Sequence, residues 1–306
     1  MSDFSVQADK VELPRGASAA SLRQNVRWRG RTVLSLTQGQ YRAYLHPVYT
    51  PKGIPVTTES PPDHPHHNGI WLAADRVNCA LPFSVDDFEY ATYNFYVNET
   101  FQGRSPGRIL SKGIKQEVVT GAHLRLVQDL VWVGPPEWGT TDGRTVLRET
   151  RTLDILPGEN ANVFDLRSRL TATEWDITLG PTRHAYFGVR TAEPLQGGQG
   201  GEFSDAHGRT GSADITGSLA PWIDCSGWVT RDHFAGIAIF RPPSEAPYPW
   251  QVADYGTITI NPLREQHRKL RAGESCEYTI RIVVHDGDVH SAKIGERYES
   301  YCQHTE

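Results

Sequence analysis

Apolar residues in this chain of 306 recur at every second position, run after run. Between 164 and 170, Phe164, Leu166 and Leu170 share one side, while Asp165, Arg167 and Arg169 share the other. Tyr278, Ile280, Ile282 and Val284 fall on one side of 277–285, and Leu124, Leu126, Leu130 and Trp132 do the same after Gly121. Successive side chains of an extended strand point to opposite faces, so a period of two marks strands with one face on a core and one in water. The same pattern predicts strands over 32–37, 42–48, 109–119, 145–155, 185–190, 234–240 and 256–260. Proline and glycine punctuate these runs, and no long helical period alternates with them. The expected fold is therefore all-β, a large antiparallel β-sandwich forming a single domain over 1–306. Only the tail carries a helical period. Ile294, Tyr298 and Tyr301 follow Ser291 at i, i+4 and i+7, which predicts a short helix at about 290–303 on the sandwich edge. Long connections are expected at 47–65, 81–106, 134–144 and 193–221, lengths that usually frame a binding site or an interface.

Several function classes are disfavoured. The formal charge is −5 and no Lys/Arg block occurs, so neither nucleic acid nor an anionic membrane is an expected partner. No apolar stretch reaches the roughly 18–20 residues that span a bilayer. The first residues lack the basic-then-apolar order of a secretion signal, and a cytoplasmic location is expected. Cys79, Cys225, Cys276 and Cys302 lie far apart without a Cys-x-x-Cys pair, which favours buried free thiols over disulfides or a thiolate zinc site.

Three stretches could carry chemistry. The first is Pro61-Pro-Asp-His-Pro-His-His-Asn-Gly-Ile-Trp71. Its prolines fix φ and stiffen the loop, which suits side chains that must be held in place. Neutral imidazoles can ligate a metal, and near pH 7 they can also carry a proton. His66 and His67 are the candidate catalytic residues here, and His64, Asn68 and Trp71 the candidate substrate contacts. A divalent metal on Asp63, His64, His66 and His67 is the alternative, although no complete metal-binding template is present. The second stretch, Thr182-Arg-His-Ala-Tyr-Phe-Gly-Val-Arg190, offers His184 as an acid or base and Arg190 to orient an oxygen-rich ligand. The third runs from Pro247 to Pro262. Trp250 and Tyr255 are flat platforms for a sugar's C–H faces, Gln251 is a hydrogen-bonding side chain, and Asp254 is a candidate catalytic carboxylate. Asp224, and the alternating Arg148, Glu149 and Arg151 read as a solvated sheet face, are lesser candidates.

The run Leu45-His-Pro-Val-Tyr-Thr-Pro-Lys-Gly, followed by the histidine-rich loop, resembles the family called methane oxygenase PmoA-like. The resemblance extends from about Tyr41 to Gly287 and takes in Phe187-Gly-Val-Arg, Ala220-Pro-Trp-Ile-Asp-Cys-Ser-Gly and Asp254-Tyr-Gly with Asn261-Pro. The name implies membrane methane oxidation, against which the lack of any spanning segment argues. The family's association with sugar dehydrogenases in bacterial gene clusters implies a carbohydrate role. More distantly, the order His66/His67, His184-Ala-Tyr-Phe187, Asp254 is similar to aldose 1-epimerases (galactose mutarotases), which implies their β-supersandwich. Those enzymes carry glutamate at the late acidic position.

Three functions are expected in turn. The first is acid/base catalysis on a sugar or keto-sugar without a cofactor, either epimerase-like or as a lyase or hydratase. The second is a metal-dependent hydrolase or oxygenase. The third is a carbohydrate-binding protein that does not catalyse. A small-molecule carbohydrate is the expected partner in the first and third, and a homo-oligomer is compatible with all three.

Overall fold

The computed structural model describes residues 3–10, 22–137, 140–184, 186–245 and 247–304, which form three antiparallel sheets and one short C-terminal helix. The first sheet has eight strands in the order Phe4–Lys10, Leu22–Trp28, Arg31–Gln38, Ala43–Val48, Ile70–Leu72, Phe187–Arg190, Thr257–Ile260 and Trp250–Ala253. The second, also of eight, runs Glu202–Asp205, Trp222–Thr230, His233–Phe240, Ser275–Asp286, Ala161–Ala172, Thr145–Leu156, His123–Val133 and Arg108–Thr120. The third contains Arg268–Leu270, Asp176–Leu179, Val77–Pro82 and Phe88–Tyr93.

Alternation joins the two large sheets. Leu34, Leu45, Val189 and Ile258 of the first meet Leu166, Ile237 and Ile282 of the second in one buried cluster, so the layers form a β-sandwich. Every strand predicted above is present within a few residues of its expected ends. The one expected to begin at Ala185, which lies outside the described residues, is Phe187–Arg190.

The structure also departs from the expectations. Phe4–Lys10 and Leu22–Trp28 form an additional hairpin at the sheet edge. The expected loop at 81–106 contains Phe88–Tyr93, paired with Val77–Pro82. The segment 193–221 carries the strand Glu202–Asp205 and a single turn of helix, Ser212–Ile215, so the tail is not the only helical segment. The C-terminal helix is Ile294–Gln303. It covers a sheet face rather than an edge. Ile294 and Tyr301 are buried with Ala238, Phe240 and Val283, residues whose strand neighbours Ile237, Ile239 and Ile282 face the main core.

The solvated charged face expected around Arg148 also needs correction. Arg148 is exposed, but Glu149 and Arg151 occupy inward positions of the same strand and are buried. Glu149 accepts hydrogen bonds from Trp132 Nε1 (2.8 Å), Arg151 Nε (2.9 Å) and Ser168 Oγ (2.8 Å), and Arg151 Nη1 donates to the Ala43 carbonyl at 3.1 Å. This network ties the two sheets together through the core. The four cysteines are thiols; Cys79, Cys225 and Cys276 are buried, and Cys302 is half-buried.

Candidate active site

The site forms on the face of the first sheet turned away from the core. Ile258 and Ile260 enter the core, so Thr257 and Thr259 take the other side; Val189 enters it, so Gly188 and Arg190 do not. Gly188 matters through the side chain it lacks, since a Cβ there would lie 2.2 Å from the indole of Trp71. Trp71 therefore fits against the strand, and His67 stacks on it at 4.8 Å and 13°. His64 stacks on His67 (4.8 Å, 2°), and Tyr255 stacks on His64 (4.6 Å, 18°).

The histidine loop earns its shape from two local turns, in which the His64 N–H donates to the Pro61 carbonyl and the His67 N–H to the His64 carbonyl. Arg42 holds it from below, donating from Nη1 to the His66 carbonyl at 2.6 Å and from Nη2 to Asn98 Oδ1 at 2.8 Å. Gly69 returns the chain to the sheet at φ +54°, with its Cα so close to the Leu45 carbonyl that any Cβ would sit 2.2 Å from that oxygen.

These elements wall a cavity of about 510 Å³, whose lining includes His64, His66, His67, Tyr96, Phe101 and His184 together with Gln251, Tyr255, Thr257 and Thr259. Its volume suits a small ligand. Tyr96 sits between the histidines, with its ring 5.3 Å from His66, 6.1 Å from His67 and 4.9 Å from His184.

The histidines differ in chemistry. His67 Nδ1 faces the Arg190 Nη1 donor at 3.4 Å, so that nitrogen accepts and Nε2–H is left to donate to the Tyr96 hydroxyl at 3.2 Å. Burial, assisted by the neighbouring His66, pushes the His67 pKa down to about 2, and burial with Arg42 nearby pushes His66 down to about 3. Both are neutral at pH 7. His184 Nδ1 lies 2.7 Å from Asp75 Oδ2. Burial works against the Asp75 charge, but hydrogen bonds from His184 and Arg104 outweigh it and hold the carboxyl below its usual range. An ionised carboxylate only accepts, so Nδ1 of His184 carries the hydrogen and the lone pair of a neutral ring is on Nε2. Arg104 Nη2 grips Asp75 at 2.9 and 3.1 Å, and Thr182 Oγ1 donates to it at 3.1 Å. Asn261 Nδ2 fixes the backbone by donating to the carbonyls of Thr182 and His184.

Of the residues proposed from sequence, His64, His66, His67, His184, Gln251 and Tyr255 are brought together in the cavity. The others do not line it. Asp254 sits exposed on the turn after Trp250–Ala253, against Gly197, while its neighbour Tyr255 on the same turn faces the cavity. Trp250 points into the core and donates from Nε1 to the Ala220 carbonyl at 2.7 Å, as strand alternation requires of the neighbour of Gln251. Trp71 is fully buried beneath His67. Arg190 is buried behind the loop, bidentate on Asp63 at 2.7 and 2.8 Å. Asn68 turns to Ser60 and lines a neighbouring 250 Å³ cavity with Arg42 and Asn98. Asp224 is fully buried on His285. Sequence reasoning missed Asp75, Tyr96, Phe101, Thr257 and Thr259. Only the two threonines carried a signal, in the alternation of Thr257-Ile-Thr-Ile260.

The alternative metal set does not fit as arranged. Asp63 is committed to Arg190 and His64, and His64 and His67 are stacked in parallel, so their in-plane lone pairs do not converge on one point. Among the described residues no group of three or more His, Cys, Asp and Glu side chains is placed to hold an ion.

A model for one family matches residues 23–299. The chain belongs to DUF6807, a family of unknown function. That is the family shown; the PmoA-like and aldose 1-epimerase resemblances bear only on the proposal below. No curated protein matches the chain. Among solved structures, a GH36 α-galactosidase of Geobacillus stearothermophilus in complex with raffinose is 15% identical, covers 67% of this chain and 33% of its own, and has a TM-score of 0.37. A second structure of that enzyme is 12% identical over 92% of this chain and 41% of its own, with a TM-score of 0.41. The α-galactosidase of Lactobacillus brevis is 9% identical over 90% and 39%, with a TM-score of 0.39. This DUF6807 chain thus spans well under half the length of those proteins, and likeness at this level bears no weight for its chemistry. No helix among the described residues is long and apolar enough to cross a membrane.

The neutral histidines have a consequence for stability. His46, like His66, is pushed down to about 3 by burial, with Arg23 adding to the effect. The unfolded chain binds protons on these rings near pH 6.5, whereas the folded chain holds His46, His66 and His67 neutral to about pH 3 or below. More protons on the unfolded side means that stability rises with pH. It is therefore complete above about pH 6.5 and is lost as pH falls toward 3. The urea midpoint should drop between pH 7.5 and pH 5, and His67→Gln should reduce that drop. Equal midpoints at the two pH values would contradict these burials.

Proposed function

We propose that this DUF6807 protein binds a small sugar or keto-sugar in the cavity and transfers a proton on it through His184. The observation that carries the reading is the Asp75–His184 pair at 2.7 Å, with the ring lining a cavity that also holds aromatic faces and hydroxyls. A carboxylate that fixes one ring nitrogen sets the other up to take and return a proton. Tyr96, Phe101 and Tyr255 suit the C–H faces of a sugar ring, and Gln251, Thr257 and Thr259 suit its hydroxyls.

The division of labour differs from the one expected from sequence. His184 carries the proton. His66 acts as a neutral hydrogen-bonding group that orients or polarises a sugar oxygen, while His67, whose nitrogens are engaged by Arg190 and Tyr96, positions the Tyr96 hydroxyl. Burial raises the Tyr96 pKa well above its ordinary value, so its hydroxyl stays protonated and able to donate. Asp254 has no part. The chemistry is then anomer interconversion, or proton abstraction beside a carbonyl followed by elimination or hydration; each needs one group to take a proton while another steadies an oxygen. Incubation with freshly dissolved aldoses and with 3-keto-glycosides tests this. Proton NMR or optical rotation should show acceleration over buffer for one of the two classes, and no acceleration for either would overturn the catalytic reading.

A further inference from the structure

The charges around the cavity do not cancel. Arg190 is neutralised by Asp63, and Arg104 by Asp75. His66 and His67 are held neutral by burial. Two cations remain on the lining, Arg183 and Arg264, and no aspartate or glutamate lines the cavity with them. Among the described residues neither guanidinium is in an ion pair or a side-chain hydrogen bond. Arg183 is exposed and Arg264 half-buried, so both can turn toward a ligand. This is a local surplus of positive charge in a chain whose net charge is −5.

We infer that the sugar this cavity takes carries an anionic group, a carboxylate or a phosphate, which Arg183 and Arg264 read. The inference rests on the sugar reading above and narrows it to sugar acids or sugar phosphates. Guanidinium groups present paired N–H donors that match the oxygens of either anion, and a cleft lined by one sign of charge draws in the opposite sign. Arg183 is next to His184 in sequence, and Arg264 follows Asn261, whose side chain holds the His184 backbone. The anion would therefore be anchored beside the proton-transferring ring, with the aromatic walls left for the sugar ring. A neutral sugar leaves both guanidiniums without a partner.

Calorimetry with three gluco-configured probes, D-glucose, D-glucuronate and D-glucose 6-phosphate, and with their galacto counterparts, tests the inference. At least one anionic probe should bind about ten- to a hundredfold more tightly than its neutral parent, the scale of a charge-assisted hydrogen bond, and the advantage should shrink as salt is added. Whether the carboxylate or the phosphate is the tighter identifies the source of the charge. The R183Q/R264Q double variant, its folding checked by thermal unfolding, should bring the ratio of anionic to neutral affinity close to one. Neutral sugars binding as tightly as both anions, or a ratio unmoved by the double substitution, would overturn this inference and leave the sugar reading intact. Binding by none of the probes would overturn this inference, and the 3-keto-glycoside assay above then decides the sugar reading.

Discussion

Replacing His184 by alanine is expected to slow turnover of the reacting sugar by about 10²- to 10⁴-fold, the range over which a positioned acid or base contributes, while sugar affinity changes only a few-fold. The separation follows from the site. His184 is one ring among several lining groups, so most binding contacts survive its loss, but its Nδ1 is fixed by a buried carboxylate, Asp75, whereas the carboxylate on His64, Asp63, is exposed. Asp75→Asn should also lower kcat more than it raises KM, because Asp75 acts through the ring. An asparagine amide can donate to Nδ1 and favour the wrong tautomer. Steady-state kinetics of the two variants decides the matter. If His184→Ala raises KM and leaves kcat alone, His184 is a binding residue and the cavity is a recognition site.

The largest expected effect on stability lies in the core. Glu149→Leu should lower the unfolding free energy by about 3–5 kcal/mol, the cost of leaving one partner of a buried ion pair uncompensated. Arg151 would keep its charge with nearly no exposed surface, and Trp132 Nε1 and Ser168 Oγ would lose their acceptor. Removing both charges, with Glu149→Leu and Arg151→Met together, should recover much of that loss, since the guanidinium no longer needs a partner. Urea unfolding of wild type, single and double variant measures it. A single variant with an unchanged midpoint would contradict the buried network.

The legibility of the fold and of the site differed for physical reasons. Alternation reports which side of a strand is wet, and it located four strands of the first sheet and six of the second. It failed at Glu149 and Arg151 because it treats every charge as solvated, and these two satisfy each other inside. It also missed Phe4–Lys10, Leu22–Trp28, Ile70–Leu72 and Trp250–Ala253 of the first sheet, and Glu202–Asp205 and Trp222–Thr230 of the second. Phe88–Tyr93 is mostly exposed and shows little burial contrast to read. In the site, the histidine loop was conspicuous because its chemistry is contiguous. Asp75 was not, since 109 positions separate it from His184 and only the fold joins them. Tyr96 likewise reaches the loop from a segment read as an irregular connection. Asp254 and Trp250 were placed in the site by proximity in sequence, whereas the pleat admits Gln251 and excludes its neighbour. The four residues Asp63, His64, His66 and His67 resemble a metal set in one dimension only; in three, stacking and the Arg190 contact occupy them.

The central claim is that, of the four histidines that line the proposed sugar-binding cavity, His184 is the one prepared to move a proton. Long-range ¹⁵N–¹H NMR spectra of the histidine rings, recorded at pH 5 and pH 7 with and without the reacting sugar, test it most directly. The account predicts the Nδ1–H tautomer for neutral His184, unprotonated His66 and His67 at both pH values, and ligand-induced shifts on all three rings. A protonated His67 at pH 5, an Nε2–H tautomer for neutral His184, or rings that do not respond to a bound sugar would contradict it.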